Sequence, residues 1–131
     1  HPTIIVGIIF REKSWKIPLG LHRWWFPSFD TLEAMSKDGE SVPLTVVHRK
    51  GLPRDGDNPL LLHGYGAYGM NLPLDYHPGH ACLLEMGWVV AFAHTRGGGE
   101  RGKGWHAAGR KMKKWSTFWD FEVKGVHLLG F

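Results

Sequence analysis

Cysteine is nearly absent from this chain of 131 residues: Cys82 stands alone, which excludes an internal disulfide framework. A lone thiol fits a reducing compartment, so the sequence predicts a cytoplasmic protein. Long hydrophobic runs are missing too. The longest near the N-terminus, TIIVGIIF, is too short to span a bilayer and has neither a basic flank nor a small-residue cleavage site. It reads as an extended buried or edge strand, and no membrane partner is expected. Internal repeats and low-complexity tracts are also lacking.

What is present argues for a folded core. Hydrophobic residues make up 43% of the chain, with seven Trp, seven Phe and three Tyr, a load that disordered chains do not carry. The charge excess is local. Arg96, Arg101, Lys103, Arg110, Lys111, Lys113 and Lys114 face only Glu100 in the same stretch. That region reads either as a solvated face or as a basic patch for an anionic partner, with nucleic acid not favoured.

Residues 1–28 read as an irregular segment, interrupted by Pro18, Gly20 and Pro27 and carrying the pair Trp24–Trp25. From residue 29 to 131 the pattern becomes regular. FDTLEAM and SVPLTVVHRK flank SKDGE, whose Asp38–Gly39 pair predicts a hairpin turn. A strand from Asn58 to His63 follows, then a short helix over HACLLEMG. WVVAFAHT (Trp88–Thr95) is a continuous apolar strand of the kind buried on both faces. Thr117 and Asp120 have capping-box spacing ahead of a helix that places Phe118, Phe121, Gly125 and Leu128 on one face. Hairpin, strand, helix, strand, helix is an α/β order. If the sheet ends at its fourth strand, an open edge beside Trp88–Phe92 is expected to promote association.

Two G-x-G-x-x-G sets, Gly64/Gly66/Gly69 and Gly97/Gly99/Gly102, follow strands. A dinucleotide site needs the third glycine inside a helix. Pro73 and Pro78 forbid that after the first set, and Gly104 and Gly109 interrupt the second. No cofactor is therefore expected. His77 and His80 are three apart, but no partner set has structural-zinc spacing, so no metal is expected either. Acyl-transfer chemistry offers the other reading. In α/β-hydrolases one oxyanion donor comes from the loop after the third strand, where HGYGAYG lies here. Tyr65 is then either a neutral phenolic donor or a packing residue.

HGYGAYG, together with GWVVAFAHTRGGGERGKGWHAAGRKMKKWSTFWDF and KDGESVPLTVVHRK, resembles the prolyl oligopeptidase family of serine peptidases, in its oligopeptidase B and prolyl endopeptidase-like branch. The resemblance covers roughly Leu32 to Leu129. It implies the N-terminal half of an α/β-hydrolase (peptidase) domain over residues 29–131, with residues 1–28 a remnant of a β-propeller. It implies Tyr65 as an oxyanion-hole hydroxyl, Tyr68 as a pocket aromatic, and peptide as the substrate. His63 departs from the family motif, which has tyrosine there, and Ser116 departs where N-T-F is usual. The serines Ser14, Ser28, Ser36, Ser41 and Ser116 all lie outside a G-x-S-x-G elbow, so the nucleophile and its Asp and His partners are expected beyond Phe131. A non-catalytic pseudoenzyme or binding module using the Arg96–Lys114 region is the alternative. A fluorophosphonate probe is expected to leave this chain unlabelled; stoichiometric labelling that disappears in Ser116→Ala would refute this.

Overall fold

Alternating apolar residues on either side of the SKDGE turn pair as expected. In a computed structural model, which describes residues 5–9, 27–75 and 77–127 (the backbone alone for 5–9 and 123–127), β2 (Pro27–Met35) and β3 (Ser41–Arg49) form an antiparallel hairpin. Hydrogen bonds from Ser36 N to Glu40 O (2.8 Å) and Gly39 N to Ser36 O (2.9 Å) close its turn. The irregular stretch with Pro18, Gly20 and Trp24–Trp25, and Leu128, which the sequence pattern put on a helix face, lie outside the described residues.

The remaining elements are β1 (Ile5–Ile9), β4 (Leu60–Gly64), α1 (Pro78–Glu85), β5 (Val89–Ala93), α2 (Lys103–Ala108), a 3-10 turn (Lys111–Lys113) and α3 (Trp115–His127). Among the described residues, one five-stranded mixed sheet runs in the order β1-β4-β5-β3-β2. β4 and β5 are parallel, and the other pairings are antiparallel. The sheet edge is thus not beside Trp88–Phe92. β5 lies inside the sheet between β4 and β3, while β1 flanks β4, because β4 crosses to β5 and leaves its other side to the N-terminal strand. Among the described residues no helix is long and apolar enough to cross a membrane.

β5 is buried throughout, and its alternation divides the core in two. Val89, Ala91 and Ala93 join Leu44, Val46, Leu60 and Leu62 on one face, where Phe121 of α3 packs. Val90 and Phe92 join Val47, Leu61, Trp88 and Leu84 of α1 on the other. Each such fully buried aliphatic side chain contributes about 1.5–3 kcal/mol.

The capping box expected at Thr117 and Asp120 does not form. α3 already begins at Trp115, so both residues sit within the helix and point their polar atoms at the loop after β5. Phe118, expected on the apolar face, is 41% exposed. Asp120 is fully buried, accepting the Arg96 N–H at 2.9 Å and the guanidinium at 2.6 Å. The same guanidinium reaches Asp38 at 2.5 Å and Ser36 at 3.2 Å in the hairpin turn. The hydrogen bond from Arg96 holds the Asp38 carboxyl below its ordinary range, and the bonds to Asp120 raise the pKa of Arg96 further.

α1 rests on the opposite face through histidines. His63 of β4 stacks on Phe92 with ring centres 5.3 Å apart, and it lies 4.9 Å from His80, which is 5.2 Å from His77. His77 caps α1 by accepting the Gly79 N–H at 3.1 Å. Among the described residues, no group of three His, Cys, Asp or Glu side chains is arranged to hold a metal ion. The Nε2 atom of His63 is buried without a partner. Burial first, then the neighbouring imidazoles, pushes the His63 pKa down, and burial followed by His77 does the same for His80.

Two outcomes are expected. Removing the Asp120 carboxylate strands a buried arginine, so Asp120→Ala should lower the unfolding free energy by about 3–5 kcal/mol in denaturant titrations. The unfolded chain binds protons at His63 and His80 near pH 6.5, whereas the folded chain resists them until lower pH. Stability should therefore fall as pH drops below about 6.5, and His63→Phe should flatten that slope. A slope identical to that of the unsubstituted chain would count against the histidine cluster as its source.

Candidate functional site

Because β4 and β5 are parallel and in register from Leu60↔Val89 to Gly64↔Ala93, the two glycine loops leave the sheet side by side. Ligands in open α/β sheets bind outside the carboxyl ends of such strands. Tyr65 is the first residue beyond β4 and is partly buried. Tyr68 lies three residues further, 68% exposed and with a φ of 54°. A non-glycine residue in the left-handed region costs about 1–3 kcal/mol and persists only where its surroundings impose it. Here a Met70 N to Ala67 O bond of 3.1 Å closes the turn around it.

The second loop, Arg96–Gly102, is threaded against the first. Gly69 N donates to Gly97 O at 2.9 Å, Gly99 N to Met70 O at 3.3 Å, and Leu72 N to the Glu100 carboxylate at 2.9 Å. Gly66 and Gly97, with φ of 59° and 98°, meet backbone to backbone. A Cβ on Gly97 would collide with Gly66 O, and one on Gly66 with Thr95 and Thr117. Lys114 then donates to Gly66 O at 2.5 Å, and Thr117 to Arg96 O at 2.6 Å. Burial lowers the pKa of Lys114.

This interlock leaves the second glycine loop without the free N–H groups that a dinucleotide's phosphates would need. The N–H groups of Gly97, Gly98, Gly99 and Gly102 already donate to Trp105 O, Thr95 O, Met70 O and Gly99 O, so they do not converge on an anion. A short helix, α2, does start at Lys103 despite Gly104, contrary to the interruption read from the sequence. Burial of Trp105 and its indole bond to His94 O (3.2 Å) override the glycine. Between the first loop and α1 at Pro78 there is no helix among the described residues.

The basic stretch is not one exposed patch. Arg96 is buried against Asp120, Arg101 pairs with Glu33 at 3.0 Å, and Lys114 binds Gly66 O. Arg101, Lys103, Arg110, Lys111 and Lys113 remain exposed. Ser116 is 7% exposed, with its Oγ 2.6 Å from Ala108 O and 2.7 Å from Lys113 O. Backbone carbonyls therefore occupy that hydroxyl, and they are not bases that would activate it. Sequence reasoning gave Glu100, Lys114 and Thr117 no part in holding the two loops together. The signal it held was RGGGE, a polar ending to a glycine loop.

Comparison with known proteins supports the same reading of the fold. A model of the prolyl oligopeptidase family matches residues 76–129. The human protein "Prolyl endopeptidase-like" is 47% identical over 102 residues, covering 76% of this chain and 14% of the relative's length. A prolyl endopeptidase structure from work on inter-domain dynamics superposes with a TM-score of 0.76 at 44% identity, over 79% of this chain and 15% of that one. Prolyl oligopeptidase B from Galerina marginata, bound to a 35mer substrate, superposes with a TM-score of 0.76 at 31% identity, over 79% of this chain and 15% of its own. The chain thus spans about one seventh of the length of the relatives it matches. Its mixed sheet with flanking helices is that of part of an α/β-hydrolase domain. On sequence and on fold alike, this chain belongs to the prolyl oligopeptidase family of serine peptidases.

Proposed function

We propose that this chain supplies the oxyanion side of a serine oligopeptidase active site, in a protein that hydrolyses peptide bonds of short peptides through an acyl-enzyme. The observation that carries the proposal is the pair of interlocked glycine loops at the carboxyl ends of β4 and β5, with Tyr65 at the base of the first. When a serine attacks a peptide carbonyl, negative charge develops on the carbonyl oxygen, and a donor already held in place stabilises it without reorganising. The Tyr65 hydroxyl takes that role. Tyr68, exposed on the same loop and held in a strained conformation, lines the pocket for a substrate side chain. Peptide as substrate agrees with the peptide-bound relative from Galerina marginata. Residues 29–131 form this peptidase portion, and the nucleophile, base and acid belong to chain beyond it.

The alternative, a non-catalytic module using the Arg96–Lys114 region, is weakened because Arg96 and Lys114 are engaged within the fold and Arg101 is paired with Glu33 at the surface. In a full-length protein carrying the triad, Tyr65→Phe should lower kcat by roughly 10²–10³. KM should change much less, because the interaction strengthens in the transition state. A normal kcat with a lowered melting temperature would instead make Tyr65 a packing residue.

A further inference from the structure

The Tyr65 loop is held at its front by β4 and at Gly69 and Met70 by backbone bonds to Gly97 and Gly99, and the side chain that anchors its far end, at Leu72, is the largely buried carboxylate of Glu100. Glu100 is 15% exposed in its side chain. Its Oε1 accepts the Leu72 N–H at 2.9 Å and lies 3.4 Å from His94 Nδ1. His94 is fixed in turn, its Nε2 lying 2.8 Å from Thr45 Oγ1 on β3. Loop end, carboxylate, imidazole and sheet therefore form one connected line. Burial works against the charge on Glu100, but His94 and the Leu72 N–H outweigh it and keep the pKa below its ordinary value.

Two features fit a demanding geometric role. The second oxygen, Oε2, is buried without a partner, an arrangement that costs stability and that an apolar residue would avoid. Gly98 makes room for it: a Cβ there would collide with Oε2 and come within 3.1 Å of Met70 O. The glycine is thus matched to the carboxylate, and both face the same loop.

We propose that Glu100 is a positioning residue that sets the path of residues 65–72 and, through that path, the place of Tyr65. The catalytic consequence rests on the reading of Tyr65 as an oxyanion donor, but the geometric claim does not. A misplacement of about 1 Å at such a group is enough to lower turnover by about 10²-fold, so an anchor at the far end of the loop has a function beyond stability.

Amide hydrogen exchange measured by NMR on the full chain tests this. In Glu100→Ala the Leu72 amide should exchange about 10- to 100-fold faster, the range expected for loss of one hydrogen bond to a charged acceptor. Gly69 and Met70 should follow, while amides of β4 and β5 keep their rates. Gly98→Ala, which displaces the carboxylate without removing it, should reproduce the effect. Glu100→Gln keeps an acceptor oxygen and should stay within a few-fold of the unsubstituted chain. Unchanged Leu72 exchange in both alanine variants overturns the proposal. So does uniform loosening of β4 and β5, which would make Glu100 a support of the whole fold, and so does a glutamine variant as fast as alanine. A Tyr65→Phe enzyme with normal turnover would remove the oxyanion reading while leaving these exchange rates where they are, so the two failures are distinguishable.

Discussion

The contact between Arg96 and Asp120 is the constraint on which the arrangement around the site depends. Taking both charges out of water is expensive, and such a pair is often no more stabilising than apolar residues of equal volume. Its value here is geometric. One guanidinium binds α3 through Asp120 and the β2–β3 turn through Asp38 and Ser36, while its own backbone N–H is also held by Asp120. The root of the second glycine loop is thereby fixed against a helix and a hairpin at once. With the root fixed, Gly97 meets Gly66 and the two loops lock.

The lock explains why so many glycines gather at one end of the sheet. They are places where two chain segments touch through backbone, so the loops exchange hydrogen bonds that would otherwise be open to a ligand. Both α3 and the turn before it contribute, because Thr117 and Lys114 each bind a loop carbonyl. A cation that composition assigns to a surface patch is thus spent inside the fold. Tyr65 is left partly buried at the base of the loop and Tyr68 exposed at its crest.

Much of the fold was legible. The SKDGE turn and its flanking alternation specified the hairpin, and WVVAFAHT specified a strand covered on both faces, because strand burial follows the local period of side chains. The misreadings have a common cause. Thr117 and Asp120 share the three-residue spacing of a capping box, but that spacing also puts two side chains on one helical face, and here the face meets Arg96. Gly104 argued against a helix, and a buried tryptophan beside it overcame the propensity. The expected edge beside Trp88–Phe92 assumed that sheet order follows chain order, and a crossover placed β5 in the interior.

The sequence by itself determined the identity of the strands, the places where the chain must turn on glycine, and the family to which its motifs point. These are set by residue chemistry over a few positions. Only the tertiary structure decided that β5 is central, that Arg96 and Lys114 turn inward, and that Glu100 reaches the end of the Tyr65 loop. Their partners lie 24, 48 and 28 residues away along the chain, and no local pattern carries information about a contact made only when the sheet closes.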